Sequence, residues 1–307
     1  MQPPLEGVIP ALLTAFDERE EIRFDVQRDL VRKLLSEGVQ GLFVCGTSGE
    51  FPFLSLEERE KLTDLVAAEA SGRAAIIVHV GASRPRDAIR LAQHAARLGV
   101  SAVSSIPPCY YHYRPDAVLR YLTEVAESTD LPFIYYHIPE RTGFSIDDRF
   151  IEKLLEVPNL RGLKHSHADL GFLQRIAAMA GPDLRLFCGS DELFLPSLVA
   201  GACGAIGSTY NFLAPLFVPL WRAFRAGKLK ESQDLQTRVL RILTAMAPYP
   251  GIAASKEAAR VLGIDLGRPR APGDALSPVE SARLRAEVLA AGLGTLLVDG
   301  ARERERE

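Results

Sequence analysis

Eight short apolar runs recur along this chain, and each is followed by a longer stretch whose apolar residues repeat at helical spacing. The runs are Val8–Ala15, Gly41–Val44, Ala75–Val80, Ala102–Ile106, Phe133–Tyr136, Leu160–Lys164, Arg185–Cys188 and Gly204–Gly207. Most are continuous rather than alternating, the pattern of parallel strands covered on both faces. Helical periodicity follows in Asp25–Ser36, Arg86–Leu98, Asp116–Glu127, Asp147–Leu155, Leu170–Met179, Glu192–Ala200 and Phe212–Ala226, with one more helix opening at Ser55. There Ser55-Leu56-Glu57-Glu58 reads as a capping box, serine and glutamate satisfying free amides at the helix start. Gly38, Gly99 and Gly201 fall where helix C-termini need a residue tolerant of positive φ.

Eight strand–helix units predict an α/β fold, a (β/α)8 TIM barrel over residues 1–227. A doubly wound sheet would carry a G-x-G-x-x-G turn after its first strand, and none is present. Strand signals stop after Gly227. Lys230–Met246, Ile252–Leu262 and Pro278–Ala291 predict a C-terminal three-helix appendage over 228–291. No low-complexity linker precedes it, so it is expected to pack on the barrel. Residues 292–307 read as a flexible tail, its Ala301–Glu307 end alternating Arg and Glu.

Composition narrows the function. The 307 residues are 47% hydrophobic and 24% charged, with a net charge of −3. Nucleic acid or an anionic membrane surface would call for a basic face, so neither is an expected partner. Cys45, Cys109, Cys188 and Cys203 lie far apart with no C-x-x-C, and read as reduced thiols. The start Met1-Gln2-Pro3-Pro4 lacks a basic n-region and an apolar h-region, and no apolar run reaches the roughly 18 residues that span a bilayer. A cytoplasmic location is the expectation.

Barrel enzymes place their chemistry at the C-terminal ends of the strands. Lys164 ends the run Leu160-Arg161-Gly162-Leu163-Lys164, whereas Lys33, Lys61, Lys153, Lys228, Lys230 and Lys256 fall in or beside helices, where solvated side chains are expected. Desolvation at a strand end favours the neutral amine that attacks a carbonyl; pairing with a barrel carboxylate is the plainer reading. Tyr136 ends the preceding run, and a phenol beside an imine-forming lysine can shuttle protons, though from position alone a core tyrosine with its hydroxyl at the barrel mouth is the better reading. Gly46-Thr47-Ser48-Gly49-Glu50 follows the second run. Its glycines allow close backbone approach, and its hydroxyls and amides suit a carboxylate.

Taken together, the segments GTSGE (46–50), PPCYY (107–111), YYHIPERTG (135–143), GLKHS (162–166), GSDE (189–192) and GAIGSTYN (204–211) resemble, in order and spacing, the dihydrodipicolinate synthase / N-acetylneuraminate lyase superfamily of pyruvate-dependent class I aldolases. The resemblance runs from about Gly7 to about Ala291. It implies that Lys164 is the Schiff-base lysine and Tyr136 its proton relay. Thr47 and Ser48 would bind the keto-acid carboxylate, and Ile206 would offer a backbone carbonyl near the amine. Tyr110 would enter a neighbouring subunit's site. The same resemblance implies a homotetramer, small-molecule 2-oxo acid and aldehyde substrates, and no cofactor beyond the covalent imine.

Within that superfamily Gly189, Asp191, Glu192, Ser208 and Ser166 resemble the positions with which neuraminate lyases hold a sugar's polyol chain. Arg141, in Glu140-Arg141-Thr142-Gly143, instead resembles the synthases' arginine for a substrate carboxylate. The expected reaction is reversible cleavage of a sugar-derived 2-keto-3-deoxy acid to pyruvate and an aldehyde. Condensation of pyruvate with aspartate semialdehyde, or a related dehydration, is the alternative inside the family. Outside it stand a metal-dependent hydrolase using His165-Ser166-His167 with His79 and His137, and a non-catalytic barrel that senses 2-oxo acids.

Overall fold

In the computed structural model, which describes residues 3–297, each apolar run is a parallel strand. The strands are β1 (Gly7–Pro10), β2 (Gly41–Val44), β3 (Ala75–His79), β4 (Ala102–Ser105), β5 (Phe133–His137), β6 (Leu160–His165), β7 (Arg185–Cys188) and β8 (Gly204–Gly207). Ladders join them in the order β1-β8-β7-β6-β5-β4-β3-β2. A parallel bridge between Ala11 and Phe43 brings β1 and β2 together, with Gln40 N donating to Val8 O at 3.0 Å and Leu12 N to Phe43 O at 2.9 Å. The architecture is the (β/α)8 TIM barrel that the sequence predicts.

β1 stops short of the apolar run that contains it. Pro10 has no N–H for a ladder, and at Leu13 and Ala15 the buried chain is held by side-chain amides instead. Leu13 N donates to Asn211 Oδ1 at 3.2 Å, Ala15 N to Gln27 Oε1 at 3.1 Å, and Gln27 Nε2 to Leu13 O at 3.1 Å. β6 runs one residue beyond the expected end, so Lys164 is its penultimate residue.

Twelve α-helices lie among the described residues: α1 (Phe24–Ser36), α2 (Leu56–Ala70), α3 (Pro85–Arg97), α4 (Pro115–Glu127), α5 (Pro139–Thr142), α6 (Asp148–Leu154), α7 (Leu170–Ala180), α8 (Phe194–Val199), α9 (Tyr210–Arg225), α10 (Leu229–Met246), α11 (Gly251–Val261) and α12 (Pro278–Ala290). The capping box at Ser55 is formed reciprocally, Glu58 N donating to Ser55 Oγ at 3.1 Å and Ser55 N to Glu58 Oε2 at 2.8 Å. Gly38, Gly99 and Gly201 take φ of 78°, 67° and 104° at helix ends. α5 is an element the sequence did not suggest. Pro139 opens its single turn and Gly143, at φ 65°, closes it.

The pleat divides the core in two. Ile9, Ala11, Phe43, Ile77, Ala102, Ile134, Tyr136, Phe187 and Ile206 point into the barrel, while the larger cluster lies between sheet and helices. Side chains alternate across a strand, so the inward position of Tyr136 sends Tyr135 and His137 outward. Its ladder partner Lys164 shares the inward face, and His165 faces the helices. Of the three C-terminal helices, α10 packs along α9, and α11 and α12 pack on each other. No helix among the described residues is long and apolar enough to cross a membrane. The Arg/Glu tail from Ala301 onward lies outside the described residues.

Candidate active site

The C-terminal ends of the strands surround a cavity of about 930 Å³. Thr47, Ser48, Tyr136, Arg141, Lys164, Ser166, Gly189, Asp191, Glu192, Ile206 and Ser208 all line it. The segments after β2, β5, β6, β7 and β8, far apart in sequence, thus meet at one place.

Lys33, Lys153, Lys228, Lys230 and Lys256 each meet a carboxylate. The Lys164 ammonium lies instead 4.0 Å from the centroid of the Tyr136 ring and 4.7 Å from that of Phe43, with the residue 4% exposed. Tyr136 Oη and Thr47 Oγ1 are 3.3 Å apart. Burial alone would raise the Tyr136 phenol. The adjacent Lys164 charge and the polar neighbours Thr47 and Ser166 outweigh it, and the phenol sits below its ordinary value of 10.0. A cation and a phenol of lowered pKa in contact are a pair suited to passing a proton.

Two glycines make the polar end of the cavity possible. A Cβ on Gly189 would lie 1.8 Å from Ser166 Oγ, and one on Gly207 would lie 1.7 Å from Asp191 Oδ1. Asp191 Oδ2 accepts from Thr209 N at 2.9 Å and from Thr209 Oγ1 at 2.6 Å, while Oδ1 is buried without a partner. Burial, opposed by the Thr209 donors, holds the Asp191 carboxyl above its ordinary range. Ser166 Oγ is likewise buried with no hydrogen-bond partner. Free acceptor and hydroxyl positions of this kind suit a ligand rich in hydroxyl groups. Arg141, in α5, is exposed where the cavity meets solvent.

Tyr110 stands apart. It does not line the cavity, is 90% exposed, and takes φ 87°. Tyr111 is 68% exposed, and the two rings meet edge-on with centroids 5.1 Å apart.

Of the histidines among the described residues, His167 alone lines the cavity. His79 Nδ1 donates to Cys45 O at 3.1 Å beneath the site, and burial, then the Arg59 charge, keeps the ring neutral. His165 Nε2 donates to Asp169 O at 3.2 Å, which leaves its Nδ1 bare to accept from His137 Nδ1 at 3.0 Å. Both rings pack against Phe172 of α7, with centroids 6.2 and 5.8 Å away, and His167 Nδ1 accepts from Asp169 N at 3.1 Å. Among the described residues no three His, Cys, Asp or Glu side chains are grouped as a metal site.

One pairing was invisible in the sequence. Lys256 was expected to be solvated like the other helix lysines. Its side chain is 1% exposed and its Nζ lies 2.7 Å from Oε1 of Glu50, itself 0% exposed. Buried Ala253, Ala254, Ala258 and Ala259 around it leave α11 no solvated face there. That run of small residues was the available signal.

The dihydrodipicolinate synthetase family model matches residues 4–291. N-acetylneuraminate lyase of Rhizobium meliloti (strain 1021) is 40% identical over 288 residues, spanning 92% of this chain and 94% of that protein. The Proteus mirabilis N-acetylneuraminate lyase structure superimposes with a TM-score of 0.87 at 34% identity, over 94% of this chain and 99% of that one. Dihydrodipicolinate synthase from Aquifex aeolicus gives a TM-score of 0.89 at 26% identity, over 94% and 99%. With matches along nearly its whole length, the chain belongs to the dihydrodipicolinate synthetase family and is a lyase of the class I aldolase type.

Proposed function

We propose that this enzyme reversibly cleaves a sugar-derived 2-keto-3-deoxy acid, such as N-acetylneuraminate, to pyruvate and an aldehyde through an imine on Lys164. The observation that carries the reading is the Lys164 amine placed against Tyr136, whose hydroxyl reaches Thr47, inside a cavity whose other end holds Asp191, Glu192 and Ser208.

Thr47 and Ser48 bind the substrate carboxylate. The Lys164 ammonium gives a proton to the Tyr136 phenolate, the neutral amine adds to the keto carbon, and Tyr136 returns that proton to the carbinolamine hydroxyl as one water leaves, which gives the iminium and the phenolate again, with the Ile206 carbonyl beside the amine. A base, Tyr136 through its lowered phenol, then takes the proton of the C4 hydroxyl. The C3–C4 bond breaks, its electron pair passes into the iminium to give the enamine, and the aldehyde departs. Protonation at C3 and hydrolysis by one water return pyruvate and the free lysine. The iminium is itself the electron sink for this bond cleavage. Ser166, Gly189, Asp191, Glu192 and Ser208 hold the hydroxyl groups of the departing fragment.

The exposed Tyr110 completes the site of a second copy of the chain, giving a homo-oligomer, a tetramer built from two such dimers. Arg141 favours a second reading, because an arginine at the mouth of the same cavity can grip a carboxylate bidentately. The aldehyde would then be a uronic fragment or aspartate semialdehyde. Incubation with pyruvate and borohydride should add one reduced pyruvate per subunit, mapped to Lys164 and absent from Lys164→Ala. An adduct elsewhere, or none, overturns the imine. A screen of 2-keto-3-deoxy acids and aldehydes, read by pyruvate release or consumption, separates the two substrate readings.

A further inference from the structure

Glu50 ends the turn that carries Thr47 and Ser48, and it is where that turn meets the C-terminal helices. The turn is closed by Gly49 N donating to Gly46 O and Glu50 N to Thr47 O, each at 3.0 Å, and Thr14 Oγ1 donates to Gly49 O at 2.7 Å. Glu50 itself takes φ 60° and ψ 34°. A residue with a side chain keeps that left-handed conformation only where its surroundings enforce it. Here they do. Oε1 meets Lys256 Nζ from α11 at 2.7 Å, and Oε2 accepts from Arg270 N at 2.8 Å. Lys256 Nζ also donates to Arg268 O at 3.0 Å, and the Arg270 guanidinium reaches Phe53 O at 2.8 Å and Glu58 Oε1 at 2.7 Å. Two separate C-terminal segments therefore grip the one carboxylate.

A buried pair of this kind adds little net stability, because removing both charges from water costs about as much as their attraction returns. What it does supply is a fixed geometry. Pairing also neutralises a carboxylate that would otherwise stand, unscreened, in the turn that receives an anionic substrate. We propose that Glu50 and Lys256 are positioning residues: their buried pair holds the 46–50 turn where Thr47 and Ser48 meet the 2-oxo acid carboxylate, so the C-terminal helices set the affinity for pyruvate. The inference rests on the imine reading above.

The test is kinetic, on the full chain. Lys256→Met strands the Glu50 charge and should raise the KM for pyruvate in condensation by about tenfold or more, the scale of one lost charge-assisted contact. Glu50→Gln removes the repulsion together with the tether and should raise KM less, with kcat in both variants within about threefold of the parent. Borohydride trapping at Lys164 with acetaldehyde, a carbonyl without a carboxylate, should be unchanged, whereas general loosening of the pocket would impair it equally. Should the single variants not fold, Glu50→Gln with Lys256→Met leaves no buried charge. That double variant should recover the parent's Tm yet keep a raised KM for pyruvate. A folded double variant with the parent's KM, or equal losses with pyruvate and acetaldehyde, overturns the positioning role alone. A parent enzyme that forms no pyruvate adduct overturns the functional reading and this inference with it.

Discussion

Replacing Tyr136 by phenylalanine removes one oxygen and leaves the ring in place. The contacts of that ring are extensive: Lys164 Nζ at 4.0 Å, Phe43 edge-on at 6.0 Å and 87°, and His79 edge-on at 6.0 Å and 86°. All survive the change. The lost hydroxyl makes one 3.3 Å hydrogen bond, to Thr47, worth about 0.5–1.5 kcal/mol of stability. Tm should therefore fall by only about 1–2 °C. Activity should fall far more. If the hydroxyl carries the proton through dehydration and carbon–carbon cleavage, kcat should drop by roughly 10²–10⁴, or about 3–5 kcal/mol of barrier. The assay is pyruvate release under saturating substrate, with thermal denaturation in parallel and near-UV circular dichroism as the control for intact packing. The rising limb of the parent's pH–rate profile, set where the phenol that acts as base loses its proton below its ordinary 10.0, should vanish in the variant. A kcat within about threefold of the parent, or a loss of activity matched by a collapse in Tm, refutes the relay.

Arg141→Ala separates the substrate readings: a ten- to hundredfold loss in kcat/KM with no loss in Asp191→Ala and Ser208→Ala, the scale of one hydrogen bond to a charged group of about 1.5–3 kcal/mol, selects a carboxylated aldehyde, and the reverse pattern selects a polyol. Mixing inactive Tyr110→Phe with inactive Lys164→Ala subunits should restore part of the activity, since some mixed sites carry neither change; no recovery after confirmed exchange places Tyr110 in its own subunit's chemistry. The paired His137 and His165 have values pushed down from 6.5 to about 3 and about 4, by burial first. The unfolded chain thus binds these protons and the folded one does not, so stability is full above about 6.5 and lost as pH falls toward about 3–4, by on the order of a few kcal/mol. Tm measured across that window should fall for the parent and fall less for His137→Asn with His165→Gln; equal slopes refute the assignment. Asp191→Asn should raise Tm at neutral pH, because a carboxyl whose folded pKa is raised costs stability above that pKa, and the gain should shrink as pH falls through it; a lower Tm at every pH counts against it.

Strand and helix order were legible because they are local. A continuous apolar run bounded by turn residues has few other uses, and the capping box at Ser55 announces a helix from four residues. The inward face of Lys164 followed once β6 and its period of two were set. Boundaries were less legible. β1 ends at Pro10 because its continuation finds partners in Gln27 and Asn211, which no local pattern reveals. α5 was missed because a single turn has no period to read.

The sequence by itself determined the eight strand–helix units, the lysine at the end of the sixth strand, and the motifs that carry the family. Each is encoded in residues close enough to read as one pattern. Only the tertiary structure decided which side chains share the cavity, that His165 and His137 pack on α7 outside it, and that Lys256 is buried against Glu50. Those outcomes depend on residues such as Glu50 and Lys256, more than two hundred positions apart. Whether a charge meets water or a partner is settled by what the barrel closure and the packing of α11 bring next to it, not by its neighbours in the chain.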